Sequence, residues 1–289
     1  MKKTLLSLCA IIMALGMNAT DLWTGEKHIS WDDGGIDLEA AKFADALPGN
    51  LLKVHYSAAH TNIELKVMEV GHWHALPGAR FEAWIDGAGC YEQYLTATAV
   101  AEIKAHGLQV IGGDITATKI ELLDGKAEVK DGAVWTGYFW MDTWSTMKLA
   151  MEGLAIDWSK YKELVIYHQA NRTNFVVNVL TQFDVEGAKV PADAITKNDN
   201  NVVVDLNKVD MDAVFAAASE WDRKSLKIQM NKESGDPFNM TDIVLVPKND
   251  PTAIDHTAAD ALTHKFFRNG QLVIEKNGKF YNALGAELK

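Results

Sequence analysis

Apolar and polar residues alternate with a period of two along several short stretches of the chain. Leu52, Val54 and Tyr56 interleave with Lys53, His55 and Ser57, the pattern of a strand with one buried face. Ile63, Leu65 and Val67 repeat it against Glu64 and Lys66, and the polar residues His60-Thr61-Asn62 between the two runs predict a turn. Leu164, Ile166 and His168, followed by Phe175, Val177 and Val179, form a second pair of the same kind. Only 97–105 and 211–219 read as short helices. Short strands separated by turn residues predict an all-β fold of the sandwich or jelly-roll type.

The two pairs of runs belong to an internal repeat. Leu22-Trp23-Thr24-Gly25 matches Val134-Trp135-Thr136-Gly137, and Trp23 and Trp135 lie 112 positions apart. The same offset of 112 aligns Leu52 with Leu164, Val54 with Ile166, Thr61-Asn62 with Thr173-Asn174, and Val67 with Val179. Further on, Gly107-Leu108-Gln109-Val110 meets Ser225-Leu226-Lys227-Ile228, and Thr118-Lys119-Ile120-Glu121-Leu122 meets Thr241-Asp242-Ile243-Val244-Leu245. The longer offsets there place insertions of the second copy in loops near 197–201 and 233–237. Each copy has an ordinary single-domain size. The chain therefore divides into two tandem β-sandwich (jelly-roll) domains, 20–126 and 132–248.

The ends read differently. Residues 1–19 carry a charged start, Lys2-Lys3, and an apolar run from Leu5 to Leu15, the signature of a secretory signal peptide. Cys9 lies inside that segment without the small preceding residue of a lipoprotein signal, so no lipid anchor is expected. Residues 249–264, with Pro247, Asn249, Asp250 and Pro251 at their start, predict a linker. In 265–289 the pair Asn277-Gly278 sits between Leu272-Val273-Ile274 and Phe280-Tyr281, which predicts a short C-terminal β-hairpin tail.

Charge and composition narrow the partners. The formal net charge of −11 becomes −13 once Lys2 and Lys3 are removed, a balance that repels phosphate backbones and excludes nucleic acid as a partner. No later stretch has the length of a transmembrane helix. Cys90 is the single cysteine after the signal, so neither an internal disulfide nor a cysteine-based zinc cluster is expected.

Two resemblances follow from particular residues. Lys265-Phe266-Phe267-Arg268-Asn269-Gly270-Gln271-Leu272 and Asn277-Gly278-Lys279-Phe280-Tyr281-Asn282-Ala283-Leu284-Gly285 resemble the C-terminal sorting tails of type IX secretion cargo in Bacteroidota. That implies secretion machinery as a partner and an outer cell surface or secreted location. The opening Trp-Thr-Gly segments, His72-Trp73-His74-Ala75-Leu76-Pro77-Gly78 and the closing Thr-x-Ile-x-Leu strands resemble jelly-roll carbohydrate-binding modules of secreted polysaccharide-degrading systems. The second copy has Asp184-Val185-Glu186-Gly187 where the first has His72-Trp73-His74-Ala75, so equal function of the copies is not implied.

The nine tryptophans carry the chemistry. An exposed indole stacks on the C–H face of a sugar ring, while neighbouring polar groups bond its hydroxyls. Trp23 and Trp135 recur on opening strands and read as core. Trp31 beside Asp32-Asp33-Gly34-Gly35, Trp144 between Thr143 and Ser145, Trp73 between two histidines, Trp84 alternating with Glu82 and Asp86, and Trp140 form the candidate ligand-binding set. Trp221 has polar neighbours but a weaker signal.

The remaining polar groups add little. His72 and His74 lack a third metal ligand and read as a solvated turn. Asp32-Asp33 could contribute to a structural calcium site, yet a plain acidic turn accounts for them, and no cofactor is assigned. Lys53, His55, Glu64 and Lys66 share a face, either a polar platform or the wet side of a sheet. No nucleophile elbow, zinc-protease helix or phosphate loop occurs, so no catalytic residue is assigned. The expected function is a non-catalytic, secreted or surface-displayed protein that binds plant or host polysaccharide. The alternatives are a structural or adhesive protein binding another protein, and an accessory of a glycoside-degrading system with hydrolase activity of its own.

Overall fold

The computed structural model describes residues 19–248 except 82, 126–128, 143–144, 171–172 and 231–236, and the backbone of four strand segments within 263–288. The segment expected as a signal peptide, up to residue 18, and most of the stretch expected as linker lie outside the described residues. Residues up to Lys248 form one compact unit, and the chain from Asn249 onward forms another.

The fold of the first unit is all-β, with antiparallel sheets and two short helices. Its first lobe runs β1 (Ala19–Ile29), β2 (Ile36–Leu38), β3 (Leu51–Val67), β4 (His74–Ala75), β5 (Ala83–Asp86), β6 (Gly89–Tyr94), helix α1 (Ala97–His106), β7 (Leu108–Gly112) and β8 (Ile115–Leu123). Its second lobe runs β9 (Ala133–Met141), β10 (Thr146–Ala150), β11 (Tyr161–His168), β12 (Val177–Leu180), β13 (Ile195–Lys197), β14 (Asn201–Asp205), helix α2 (Met211–Ala216), β15 (Ser225–Met230) and β16 (Phe238–Pro247). Both helices start at side-chain caps: Thr96 Oγ1 accepts from the Ala99 N–H, and Asp210 Oδ1 from the Ala213 N–H.

Strand pairing repeats between the lobes. In the first, β8 lies between β1 and β3, and β3 also pairs with β6. In the second, β16 lies between β9 and β11, and β11 also pairs with β14. A facing layer holds β7 between β2 and the end of β3, and correspondingly β15 between β10 and β12. Two separate apolar cores fill these sandwiches, one from Leu22 to Leu122 and one from Val134 to Leu245.

The repeated Trp-Thr-Gly segment has a packing reason. Trp23 pairs across the sheet with Ile120, which pairs in turn with Val54. Trp135, Ile243 and Ile166 form the same row in the second lobe. The indoles lie back along their own strands, so that a Cβ on Gly25 would come within 3.1 Å of the Trp23 ring, and one on Gly137 within 2.8 Å of the Trp135 ring. Glycine two residues on leaves that space. Trp135 is 2% exposed, and Trp23 is half-buried against its core.

The turn expected at His60-Thr61-Asn62 does not form. β3 is one strand of 17 residues, because β5 pairs with His60 through Ile63 and satisfies the backbone there. Register shifts between His55 and Ala58 change which residues point inward, from Leu52, Val54 and Tyr56 to Ala59, Ile63, Leu65 and Val67. In the second lobe the corresponding strands β11 and β12 are separate.

A short seam joins the lobes. The Phe81 N–H donates to the Lys148 carbonyl at 2.8 Å, the Gly78 N–H to the Ala150 carbonyl at 3.0 Å, and the Ala150 N–H to the Ala79 carbonyl at 2.9 Å. Ala75, Phe81 and Ala150 are buried together there. Gly78, at φ +74°, presses its Cα against the Val134 carbonyl and leaves no room for a side chain. The segment His72 to Gly78 thus builds the contact between lobes. His72 is exposed, as expected of a solvated turn, but His74 is 5% exposed, which corrects that reading for His74: Gly153 of the second lobe covers its ring.

The C-terminal unit is larger than a hairpin. β17 (Thr263–Arg268), β18 (Gln271–Lys276), β19 (Lys279–Asn282) and β20 (Glu287–Leu288) form a four-stranded antiparallel meander. The expected pairing of 272–274 with 280–281 is its central β18–β19 ladder. β17 begins at Thr263, inside the stretch expected as linker. The Asn-Gly pairs themselves lie outside the described residues.

Since each lobe holds its own core and the seam is small, residues 20–126 and 132–248 expressed separately are expected to give β-type circular dichroism and cooperative thermal unfolding. Two unfolded fragments from a stable parent would contradict the division into two domains.

Candidate functional site

The outer face of the first lobe's β3–β5–β7 layer carries two exposed indoles. Trp84 pairs with Asn62 across the β5–β3 ladder, and directly paired residues share a face. Alternation along β3 places Glu64 and Lys66 on that face as well. Trp31 enters from the tight turn after β1, where Ser30 Oγ and Asp33 Oδ2 bond at 2.8 Å. The Lys66 ammonium stands 5.5 Å from the centre of the Trp31 ring, within cation–π reach.

The strip Asn62, Glu64 and Lys66 therefore runs between Trp84 on the β5 side and Trp31 on the β7 side. β5 and β7 flank β3, so the strip spans two strand spacings, roughly 10 Å. Trp84 is 69% exposed and Trp31 47%. Their inward neighbours Ile85, Ile63 and Leu65 are buried, so the indoles are not needed to fill the core.

Gly113 sets the position of Trp31. A Cβ there would lie 2.9 Å from Trp31 Nε1 and 2.3 Å from Thr61 Oγ1, so the bare glycine lets the indole settle over the end of β7. Lys66 and Glu64 stand 3.6 Å apart; Glu64 is buried, so the groups presented between the two apolar plates are the Lys66 ammonium and the Asn62 amide.

The other candidates scatter. Trp73 is half-exposed on the seam segment, two residues before Ala75, which pairs with Lys66 at the border of the strip. Trp140 lies on β9 of the second lobe, paired with Asn239 and 58% exposed. Tyr138 shares its face, and its hydroxyl donates to Gln169 Oε1 at 2.8 Å. Neither Tyr138 nor Asn62 stood out in the sequence, where tryptophan alone carried the signal. Trp221 is half-exposed and packs on Phe81 at the seam, with ring centres 5.6 Å apart. Trp144 lies outside the described residues.

The face suggested for Lys53, His55, Glu64 and Lys66 does not exist as one surface. Lys53 and His55 sit where β3 pairs with β6 and β8; Glu64 and Lys66 sit where it pairs with β7. The register shift between them is the reason. Lys53 and His55 belong instead to an ion-pair network with Glu92, Glu121, Lys119 and Asp21. Burial opposes ionisation of Glu121, but hydrogen bonds from Lys119 and His55 outweigh it and hold its carboxyl below the usual range. In the second lobe the hydrogen bond from Lys227 holds Asp222 low in the same way.

The acidic turn at Asp32-Asp33 is closed by its own groups, Ser30 and His28 bonding Asp33. Among the described residues, no group of three or more His, Cys, Asp or Glu side chains is placed to hold a metal ion. Among them, too, no helix is long and apolar enough to cross a membrane.

No family model matches the chain. No curated protein matches it either. Among solved structures, the SGBP-B of the Bacteroides ovatus mixed-linkage glucan utilization locus, in complex with a mixed-linkage heptasaccharide, is similar at 23% identity and a TM-score of 0.31. The match covers 36% of this chain and 28% of that one, so the chain spans well under a third of that protein's length.

The depressed carboxyls fix the acid response. Their folded-state values lie below the unfolded ones, so their stabilisation is complete above about pH 4.3 and is lost as the pH falls through the folded values. The melting temperature is expected to stay level from pH 7 to about 5 and to drop below about 4, with Glu121→Gln flattening part of the drop. A level melting temperature down to pH 3 would contradict the network's contribution.

Proposed function

We propose that the mature protein is a non-catalytic polysaccharide-binding protein, exported and held at or released from the cell surface, and that the Trp31–Trp84 strip is its binding surface. One observation carries this reading: two indoles that the core does not require flank a polar strip on a single sheet face. Each indole offers an apolar plate to the C–H face of a sugar ring, and the half-exposed Asn62 and Lys66 lie where ring hydroxyls need partners, with Glu64 buried beneath them. The two indoles stand about two strand spacings apart across β3, roughly 10 Å, a span that suits a sugar chain lying across the strands from one indole to the other.

Trp140 and Tyr138 offer a second, smaller contact on the other lobe. A polysaccharide engaging both gains from the linkage, because the second contact forms at high effective concentration. The C-terminal meander is its own unit, which suits a sorting tail recognised by secretion machinery and separable from binding.

Trp84→Ala and Trp31→Ala are each expected to weaken binding to a retained polysaccharide by about tenfold, the loss of one stacked ring, with melting temperatures within a degree or two of the parent. Affinity electrophoresis through gels cast with plant and host polysaccharides measures the first quantity and a melting curve the second. Unchanged mobility shift in both variants, across every polysaccharide that retards the parent, would refute the strip as the site.

A further inference from the structure

The second lobe carries a cavity of about 320 Å³ that shares no residue with the aromatic strip. Its apolar wall is Trp158 stacked on Phe215, ring centres 5.8 Å apart and 22° from parallel, with Ile156 beside them. Its polar wall is Arg223, Lys224 and Glu152.

Three features mark this cavity as built. The loop forming one side turns through two left-handed residues, Gly153 at φ +82° and Ala155 at φ +44°. A residue with a side chain is uncommon in that region and persists there only when its surroundings hold it. The Met151 N–H donates to the Lys224 carbonyl at 2.9 Å and ties this loop to the 3-10 turn Asp222–Lys224 on the other side. The charges are also sorted. Lys224 is neutralised by Glu152 at 3.0 Å, and the Asp222 carboxylate is taken by Lys227 at 2.6 Å. The Arg223 guanidinium finds no acidic partner among the described residues, in a chain whose net charge is −11.

From this arrangement we infer that the cavity binds an acidic sugar, with the ring on the Trp158–Phe215 wall and the carboxylate on Arg223. A uronic acid residue has both parts of the match, a C–H face for the aromatic wall and a carboxylate for the guanidinium fork. Arg223 is exposed and stays hydrated beside a neutral sugar, which therefore gains nothing from it, and a bare anion leaves the aromatic wall wet. Glu152 stays occupied by Lys224 and does not repel the ligand's charge. The site stands apart from the strip, so failure of the strip to bind neutral polysaccharide leaves this inference standing.

The test is isothermal titration of the mature protein with an oligogalacturonate, with a neutral oligogalactose of equal length, and with a short peptide rich in glutamate. Binding of the oligogalacturonate alone is expected, weakening as salt rises because an exposed cation is screened. Arg223→Gln is expected to weaken it about tenfold or more, and Arg223→Lys to restore part of it by returning the charge without the fork. A melting curve of each variant checks that the fold is intact, and a Phe215→Leu variant reads the aromatic wall if Arg223→Gln unfolds. Equal affinity for the neutral oligomer or for the peptide would overturn the inference. So would undiminished binding by folded Arg223→Gln, or no heat from the oligogalacturonate at millimolar concentration.

Discussion

The row of side chains that runs across three strands, Trp23–Ile120–Val54 in one lobe and Trp135–Ile243–Ile166 in the other, is the contact on which both sandwiches depend. Each row joins the opening strand, the closing strand and the first long central strand, segments far apart in sequence. Cross-strand pairs are the units that stabilise a sheet; Trp135 at the end of its row is fully buried, and Trp23 is half-buried against its core. The glycine two positions later is part of the same contact, since its missing Cβ is where the indole lies.

Around cores built on the same strand pairing the two lobes present different surfaces. The first carries Trp31 and Trp84 on either side of a polar strip. In the second, the corresponding layer opens onto Asn178, Gln182, Asp184 and Gln229, with Phe183 as its aromatic, and the exposed indole Trp140 lies on the opposite sheet, on β9. The seam adds to the asymmetry. His72 to Gly78 of the first lobe docks on β9 and β10, whereas Asp184, Val185 and Glu186 of the aligned segment line an open cavity of the second.

The residues that made the repeat visible in the sequence are those of the buried row and of the alternating strands, where packing leaves little choice of residue. The all-β architecture followed from the same alternation. What the sequence concealed depends on pairing between distant segments. His60-Thr61-Asn62 has turn composition, yet β5 pairs with it and keeps β3 extended. Trp31 and Trp84 were each suspect, but their sharing one face follows from the Asn62↔Trp84 register and from the bare Gly113, and neither can be read from local composition. The seam was hidden for the same reason: His74 looks solvated until the second lobe covers it. The Trp158–Phe215 cavity had no signal at all, because its walls come from segments some sixty residues apart.

If the strip is the binding surface, ligand contact must be felt first by its two indoles. The nine tryptophans give separate indole N–H signals in a proton–nitrogen correlation spectrum, assignable by single Trp→Phe replacements. Titration with a soluble fragment of a polysaccharide that the protein retains is predicted to shift the Trp31 and Trp84 signals progressively and together, while Trp135, buried in the other core, stays in place. Shifts confined to other tryptophans, with Trp31 and Trp84 unmoved at saturation, would contradict the account.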